Sequence, residues 1–367
     1  PELYDNTRVK IFGWQNGIFQ DVTEVWLPNG SNQVEAVGET IPGDFNGDGL
    51  TDVFLTANAD MNHLINTYVL MNQGGSFEKV NLGLHEWQHG GGVYDLNSDG
   101  FDDVVVGDIS TMSSNSFYFG GPEGLVKQNI QLASKGTSDI AAGNFSENET
   151  LIIVTDASKG VDGSDNQVVR LDFDGKDLIS GSEVIQTLPL NDLWPDADAH
   201  TVRALAWDYS GDGKDDVVLF TQEGLNTEGL PQEGNVSEIS FFLNDGTGYF
   251  EPDKNRLANY DIASEIAYAP VIFDINDDGR SDLFVSSGSD TAFLIQDTKG
   301  QFHEVGRQHL GSFFSHHDVS TIANGPGGGY LVQLAFDNSS GSLINDLSIF
   351  KLTDHWLEIF KTESPAF

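Results

Sequence analysis

The sequence predicts an all-β fold, a β-propeller of four-stranded blades, and three observations carry that prediction. A nine-residue pattern, D-x-[NS]-x-D-G-x-x-D, occurs four times, at Asp44–Asp52, Asp95–Asp103, Asp208–Asp216 and Asp274–Asp282. Each copy runs straight into an apolar tract: VFL, VVV, VVL and LFV. Around the copies lie short apolar runs broken by Gly, Asn and Asp, which are strand and turn signals. Four such runs per period of about 50 residues are the signature of a propeller blade.

The copies are 51, 113 and 66 residues apart, and the long gap is about two periods. It holds GNFSENETLIIVTD, a degenerate copy beginning at Asn144. IANGPGGGYLVQLAF, with its loop near Asn324, reads as another. Six units result. In each, a short strand such as VIF precedes the loop and a second strand follows it (VFLTA, VVVGD, VVLFT, LFVSS). A polar segment leads to a third (TYVLMN, NSFYFG, EISFFLN, TAFLIQ). A turn then leads to a fourth (SFEKVN, YFEPDK, QFHEVG). No sustained 3.6-residue period appears, so little helix is expected. The N-terminal TRVKIFGWQNGIFQDVTEVW matches strands three and four of a unit. The preferred reading is one propeller domain over 1–367 with seven blades: six full units plus an N-terminal half blade. A six-bladed ring with an extra hairpin is the alternative. Polar insertions at Ser158–Asn166 and Gly224–Asn235 fall between strands two and three.

The 57 acidic residues against 17 Lys and Arg give a net charge of −40. No basic footprint is present to neutralise phosphates, so nucleic acid is not expected as a partner, nor is an anionic membrane surface. There is no cysteine, hence no disulfide framework. No apolar run is long enough to span a bilayer. The start at Pro1 reads as a mature or excised fragment.

The repeated loop has the chemistry of a calcium site. Calcium takes six to eight oxygen ligands in a flexible cage. Positions one, three, five and nine supply side-chain oxygens and position seven a backbone carbonyl. The four sets are Asp44, Asn46, Asp48, Leu50 and Asp52; Asp95, Asn97, Asp99, Phe101 and Asp103; Asp208, Ser210, Asp212, Lys214 and Asp216; and Asp274, Asn276, Asp278, Arg280 and Asp282. Gly at position six permits the sharp turn. An EF-hand is excluded, because Leu55 stands where its bidentate Glu would be and strand follows instead of helix. About four Ca²⁺ are expected, clamping hairpins rather than doing chemistry. The loops at Asn144 and Asn324 lack the acids and are expected to hold none.

This pattern resembles the FG-GAP, or VCBS, repeats of integrin α-subunit propellers and their bacterial relatives. The resemblance implies that the calcium loops join strands one and two on the lower face and that ligands bind the upper face. The segments entering each first strand then become candidates. They carry His85, Trp87 and His89; Trp194, His200 and Arg203; Tyr268; and Phe313, Phe314, His316 and His317. The ligand-binding candidates are His85, Trp87, His89, Trp194, His200, Tyr268, His316 and His317. Aromatic faces with polar neighbours suit a carbohydrate. Packing between blades is the competing use for any one of them.

The leading functional reading is an extracellular or cell-surface recognition module for adhesion, its ligand a glycan or a cell-surface protein. It is acidic and secreted, monomeric or part of a larger chain. A polysaccharide lyase using His200, Arg203, Tyr268 and His317 is the alternative, though a charge of −40 repels anionic polysaccharides. A structural spacer is the second.

Overall fold

In the computed structural model the chain is described over residues 7–15, 18–58, 64–85, 87–109, 115–129, 136–156, 166–179, 183–189, 199–223, 237–258, 270–276, 278–286, 290–309, 319–325, 328–337 and 342–351. The described part is all-β, and its one helix is the single turn Thr23–Trp26. The chain forms two compact units, residues 1–15, 20–224 and 242–251 in one, and 16–19, 225–241 and 252–367 in the other.

The strands pair in chain order as antiparallel meanders. The first sheet joins Val37–Gly43, Asp52–Ala57, Ile65–Asn72 and Phe77–His85. The second joins Gln88–Tyr94, Asp103–Asp108, Ser116–Phe119 and Val126–Asn129. The third joins Thr137–Ala142, Thr150–Asp156, Asn166–Leu171 and Glu183–Leu188. Its first two strands flank the degenerate Asn144 copy, so the blade pattern outlasts the loss of the acids. The fourth joins Ala199–Trp207, Asp216–Glu223, Ser237–Asn244 and Phe250–Pro252, and the boundary between the two units falls within its last two strands.

In the second unit, Val271–Phe273, Asp282–Ser286, Asp290–Gln296 and Phe302–His309 form a meander, with Leu257–Ala258 added in parallel to Phe302–His309. Val319–Gly325, Gly328–Asp337 and Ser342–Lys351 form a three-stranded sheet. There the Asn324 copy is a tight hairpin, pairing Gly325 with Gly328.

The first unit's core lies between successive sheets. Side chains on a strand alternate between faces. In the second sheet, Val104 and Val106 pack with Ile41, Phe54 and Val69 of the first. Val105 points the other way, onto Ile140 and Ile152 of the third. Ile153 and Val168 of the third meet Ala204, Val217 and Leu219 of the fourth. A sheet covered on both faces needs consecutive apolar residues rather than alternation, which is why the VVV tract is fully buried. Each such side chain contributes about 1.5–3 kcal/mol. The outer face of the first sheet is covered by the N-terminal segment, where Leu27 and Val34 pack on Leu55 and Leu70. That segment contains the hairpin of Phe12–Gln15 with Ile18–Asp21, the pair of strands read from the sequence as a half blade.

Candidate functional site

The four acid-rich loops share one geometry. The position-one carboxylate accepts the loop's own backbone N–H groups: Asp48 N donates to Asp44 Oδ1 (3.1 Å) and Gly49 N to Oδ2 (2.9 Å). Gly100, Gly213 and Gly279 make the same bond to Asp95, Asp208 and Asp274. Position-six glycines sit at φ of 82°, 90°, 91° and 83°, a conformation in which any Cβ is strained. Position five accepts from position seven, as in Leu50 N to Asp48 Oδ1 (2.8 Å). Position two plugs the core: Phe45, Leu96 and Tyr209 are buried, and so is Phe145 of the degenerate copy.

The ninth-position aspartates are wholly buried and have a distinct job. Asp52 accepts Phe45 N on one oxygen (3.1 Å) and Asn72 N on the other (2.7 Å). Asp103 does so with Leu96 and Gly120, Asp216 with Ser210 and Asn244, and Asp282 with Ile275 and Gln296. Each carboxylate thus ties its loop to the third strand of the sheet. Burial pushes these carboxyls up, Asp103 to about 7 and Asp216 and Asp282 to about 6, against the pull of the N–H donors.

The donor set consists of oxygens alone, which suits a hard cation such as calcium. Asp44, Asn46 and Asp48, with the Leu50 carbonyl, would hold it, and the spare lone pairs of Asp52 could join them; the other three loops repeat the set. Among the described residues, no three His, Asp or Glu side chains form a ready metal cluster. Basic groups lean on two of the position-five acids: Lys176 on Asp99 (3.4 Å) and Arg280 on Asp278.

The antiparallel strands put the entries to each first strand at the sheet ends away from these loops. His85 closes the first sheet, buried, with Nε2 2.8 Å from the Tyr118 hydroxyl. Burial, assisted by Lys127, lowers its pKa to about 4. Trp87 bridges Asn58, and His89 Nδ1 lies 3.0 Å from the Ser138 carbonyl. His200 pairs in register with Gln222 in the fourth sheet. Trp194, Tyr268, Phe313, Phe314, His316 and His317 lie outside the described residues.

Arg203 is buried between two carboxylates that the sequence reading did not single out. Its Nη1 is 2.8 Å from Glu39 Oε2 and 3.8 Å from Asp139 Oδ2. Glu39 also accepts Gly91 N (3.2 Å), and Asp139 accepts Ala204 N (2.9 Å). The first strands of all four sheets of this unit meet here. Burial pushes the Asp139 carboxyl up while Arg203 pulls it down. Gly90 makes the space: a Cβ there would run into both Asp139 and Arg203. The sequence signals were an Asp inside an apolar strand, SDIAA, and the triplet Gly90-Gly91-Gly92.

Residues 44–106 and 208–285 match the family model described as an FG-GAP-like repeat. The chain carries FG-GAP-like repeats. The two matches contain all four acid-rich loops. No match was found among curated protein sequences. Among solved structures, the chain is similar to an Agrocybe aegerita lectin described as recognising non-reducing terminal N-acetylglucosamine. The TM-score is 0.54 at 12% identity, over 91% of this chain and 85% of that one. It also aligns with a Lactobacillus plantarum protein (TM-score 0.46, 11% identity, 78% and 77% covered). A third alignment is to the Vibrio cholerae biofilm matrix protein Bap1 (TM-score 0.39, 13% identity, 80% and 44% covered). At this identity the lectin likeness speaks for the fold alone.

Proposed function

We propose that this protein is an extracellular recognition module, a calcium-stabilised β-propeller that binds a glycan or a partner protein. In this reading the six sheets and the N-terminal hairpin make a seven-bladed ring. The acid-rich loops hold about four Ca²⁺ and fix the blades, and rigid blades fix the ligand loops in advance of binding. The observation that carries the reading is the division of labour along the second sheet, whose acid-rich loop is Asp95–Asp103. The oxygen-rich loop stands at one end, and Trp87 and His89 at the other. The likeness to a lectin fold supports a glycan as the first ligand to test.

One observation weighs toward binding over lyase chemistry. The Arg203 guanidinium is engaged by Glu39 and Asp139, so it is not free to neutralise a uronate. A glycan array in millimolar calcium tests the proposal. Binding that Trp87→Ala and His89→Ala weaken supports it. No binding on glycan or cell-surface protein arrays, by protein shown to be folded, would leave the spacer reading.

A further inference from the structure

We propose that the four acid-rich loops differ in their hold on calcium, and that Arg280 makes the Asp274–Asp282 loop the last to fill and the first to empty. The inference rests on the calcium reading above and concerns which of the chain's own residues compete with the ion.

In every loop the backbone takes one oxygen of the position-five carboxylate. Asp48 Oδ1 accepts Leu50 N (2.8 Å), Asp99 Oδ1 accepts Phe101 N (3.2 Å), Asp212 Oδ1 accepts Lys214 N (2.9 Å) and Asp278 Oδ1 accepts Arg280 N (3.0 Å). The second oxygen, Oδ2, is the one left for a cation, and here the loops part. Asp48 Oδ2 accepts the uncharged amide of Asn46 (3.0 Å). Among the described residues no basic group reaches Asp212; the Lys214 ammonium turns away to Asn144 Oδ1 (3.2 Å) and Glu147 (3.9 Å). Asp99 Oδ2 has Lys176 Nζ at 3.4 Å, and Asp278 Oδ2 is held by Arg280 Nη2.

Arg280 is the stronger competitor of the two. Its Nε also donates to the Gln296 carbonyl (3.3 Å), which aims the guanidinium at the loop. Its side chain is 34% exposed against 65% for Lys176, so solvent screens it less. A guanidinium does not lose its charge. A divalent ion entering this loop must displace that charge from Asp278 or sit a few ångströms from it, and both weaken binding.

The place of the loop gives this a consequence. The Asp44, Asp95 and Asp208 loops belong to the first unit. The second unit has the Asp274 loop and the acid-poor Asn324 copy. Through Asp282 the Asp274 loop is tied to Gln296, at the end of the strand whose carbonyl also holds Arg280. Falling calcium therefore releases the clamp of the second unit while loops of the first unit are still loaded.

Hydrogen exchange followed by mass spectrometry over a series of free calcium concentrations tests this, because peptides over each loop report each midpoint separately. The midpoint for residues 274–282 is expected at about tenfold higher calcium than that for residues 44–52. Arg280→Gln, which keeps the backbone carbonyl, should bring it down toward the value for residues 44–52. Lys214→Gln should move the midpoint for residues 208–216 less. Coincident native midpoints overturn the proposal, as do an unmoved midpoint in folded Arg280→Gln and an equal gain from Lys214→Gln. If the Arg280 variant does not fold, the order of the native midpoints decides. Calorimetry run alongside separates the two levels: calcium binding with coincident midpoints overturns this inference alone, whereas no calcium binding overturns the calcium reading and this inference with it.

Discussion

Asp44 and Asp102 hold two repeats together through reciprocal bonds: Asp44 N donates to Asp102 Oδ2 (2.7 Å), and Asp102 N donates to the Asp44 carbonyl (3.2 Å). The same latch recurs between the third and fourth sheets. Asn144 N donates to Asp215 Oδ2 (2.7 Å) and Asp215 N to the Asn144 carbonyl (3.0 Å). Both acids occupy position eight, where the first and fifth loops carry Thr51 and Ser281. Removing the acceptor orphans a partly buried N–H, which costs about 1–3 kcal/mol. Asp102→Ala and Asp215→Ala are therefore expected to lower urea midpoints by that order. Thr51→Ala, at an exposed site, is expected to be nearly neutral.

Positions five and nine are expected to respond differently to calcium. Asp52→Ala leaves two N–H groups without their acceptor and should destabilise the protein with or without the ion, by about 1–3 kcal/mol for each. Asp48→Ala, at an exposed loop position, should matter little in chelator and much in calcium. Unfolding of both variants in the two buffers checks the distinction. Equal calcium dependence of the two would contradict it.

The Gly90 position should tolerate no side chain. Gly90→Ala drives a methyl into the Asp139 carboxylate and the Arg203 guanidinium, and overpacking of this kind costs about 1–3 kcal/mol. Gly49→Ala meets no neighbour, so any loss there comes from its φ of 82° alone. Thermal unfolding of the pair separates a steric effect from a conformational one.

His85 should make stability fall as the solution is acidified. Its pKa is about 6.5 unfolded and about 4 folded, so the unfolded chain binds the extra proton between those values. Stability is thus full above about pH 6.5 and is lost as pH falls through the window. The loss reaches about 3 kcal/mol near pH 4. Buried carboxylates titrate in the same range with the opposite sign, so the quantity to measure is the difference between native protein and His85→Gln. That difference should shrink as pH falls from about 6.5 to about 4.

Much of the frame was legible in the sequence, because a repeated loop and the apolar runs around it obey local rules. The second and third strands of the four acid-bearing repeats, and the fourth strands of three of them, fall where VFL, TYVLMN and SFEKVN and their counterparts placed them; the second repeat's fourth strand, Val126–Asn129, was not read from the sequence. The degenerate copy at Asn144 also makes a four-stranded sheet, because Phe145 and Ile152 keep the core contacts that the acids never made. The partners of Arg203 were not legible. Glu39 and Asp139 lie 164 and 64 residues from it in sequence and meet it only when four strands come together. The double role of the acids was hidden as well. Nothing in D-x-[NS]-x-D-G-x-x-D says that the ninth Asp turns to the backbone while the first and fifth stay with the loop.

The claim at the centre of this account is that the acid-rich loops hold calcium and that calcium sets the rigidity of the frame. Differential scanning calorimetry in millimolar calcium and in excess chelator tests it most directly. Each site adds about 2.7 kcal/mol when free calcium is a hundredfold above its Kd, so chelation is predicted to lower the melting temperature sharply. Asp48→Ala, Asp99→Ala, Asp212→Ala and Asp278→Ala together are predicted to remove that difference. An identical melting temperature for the native protein in calcium and in chelator would contradict the account.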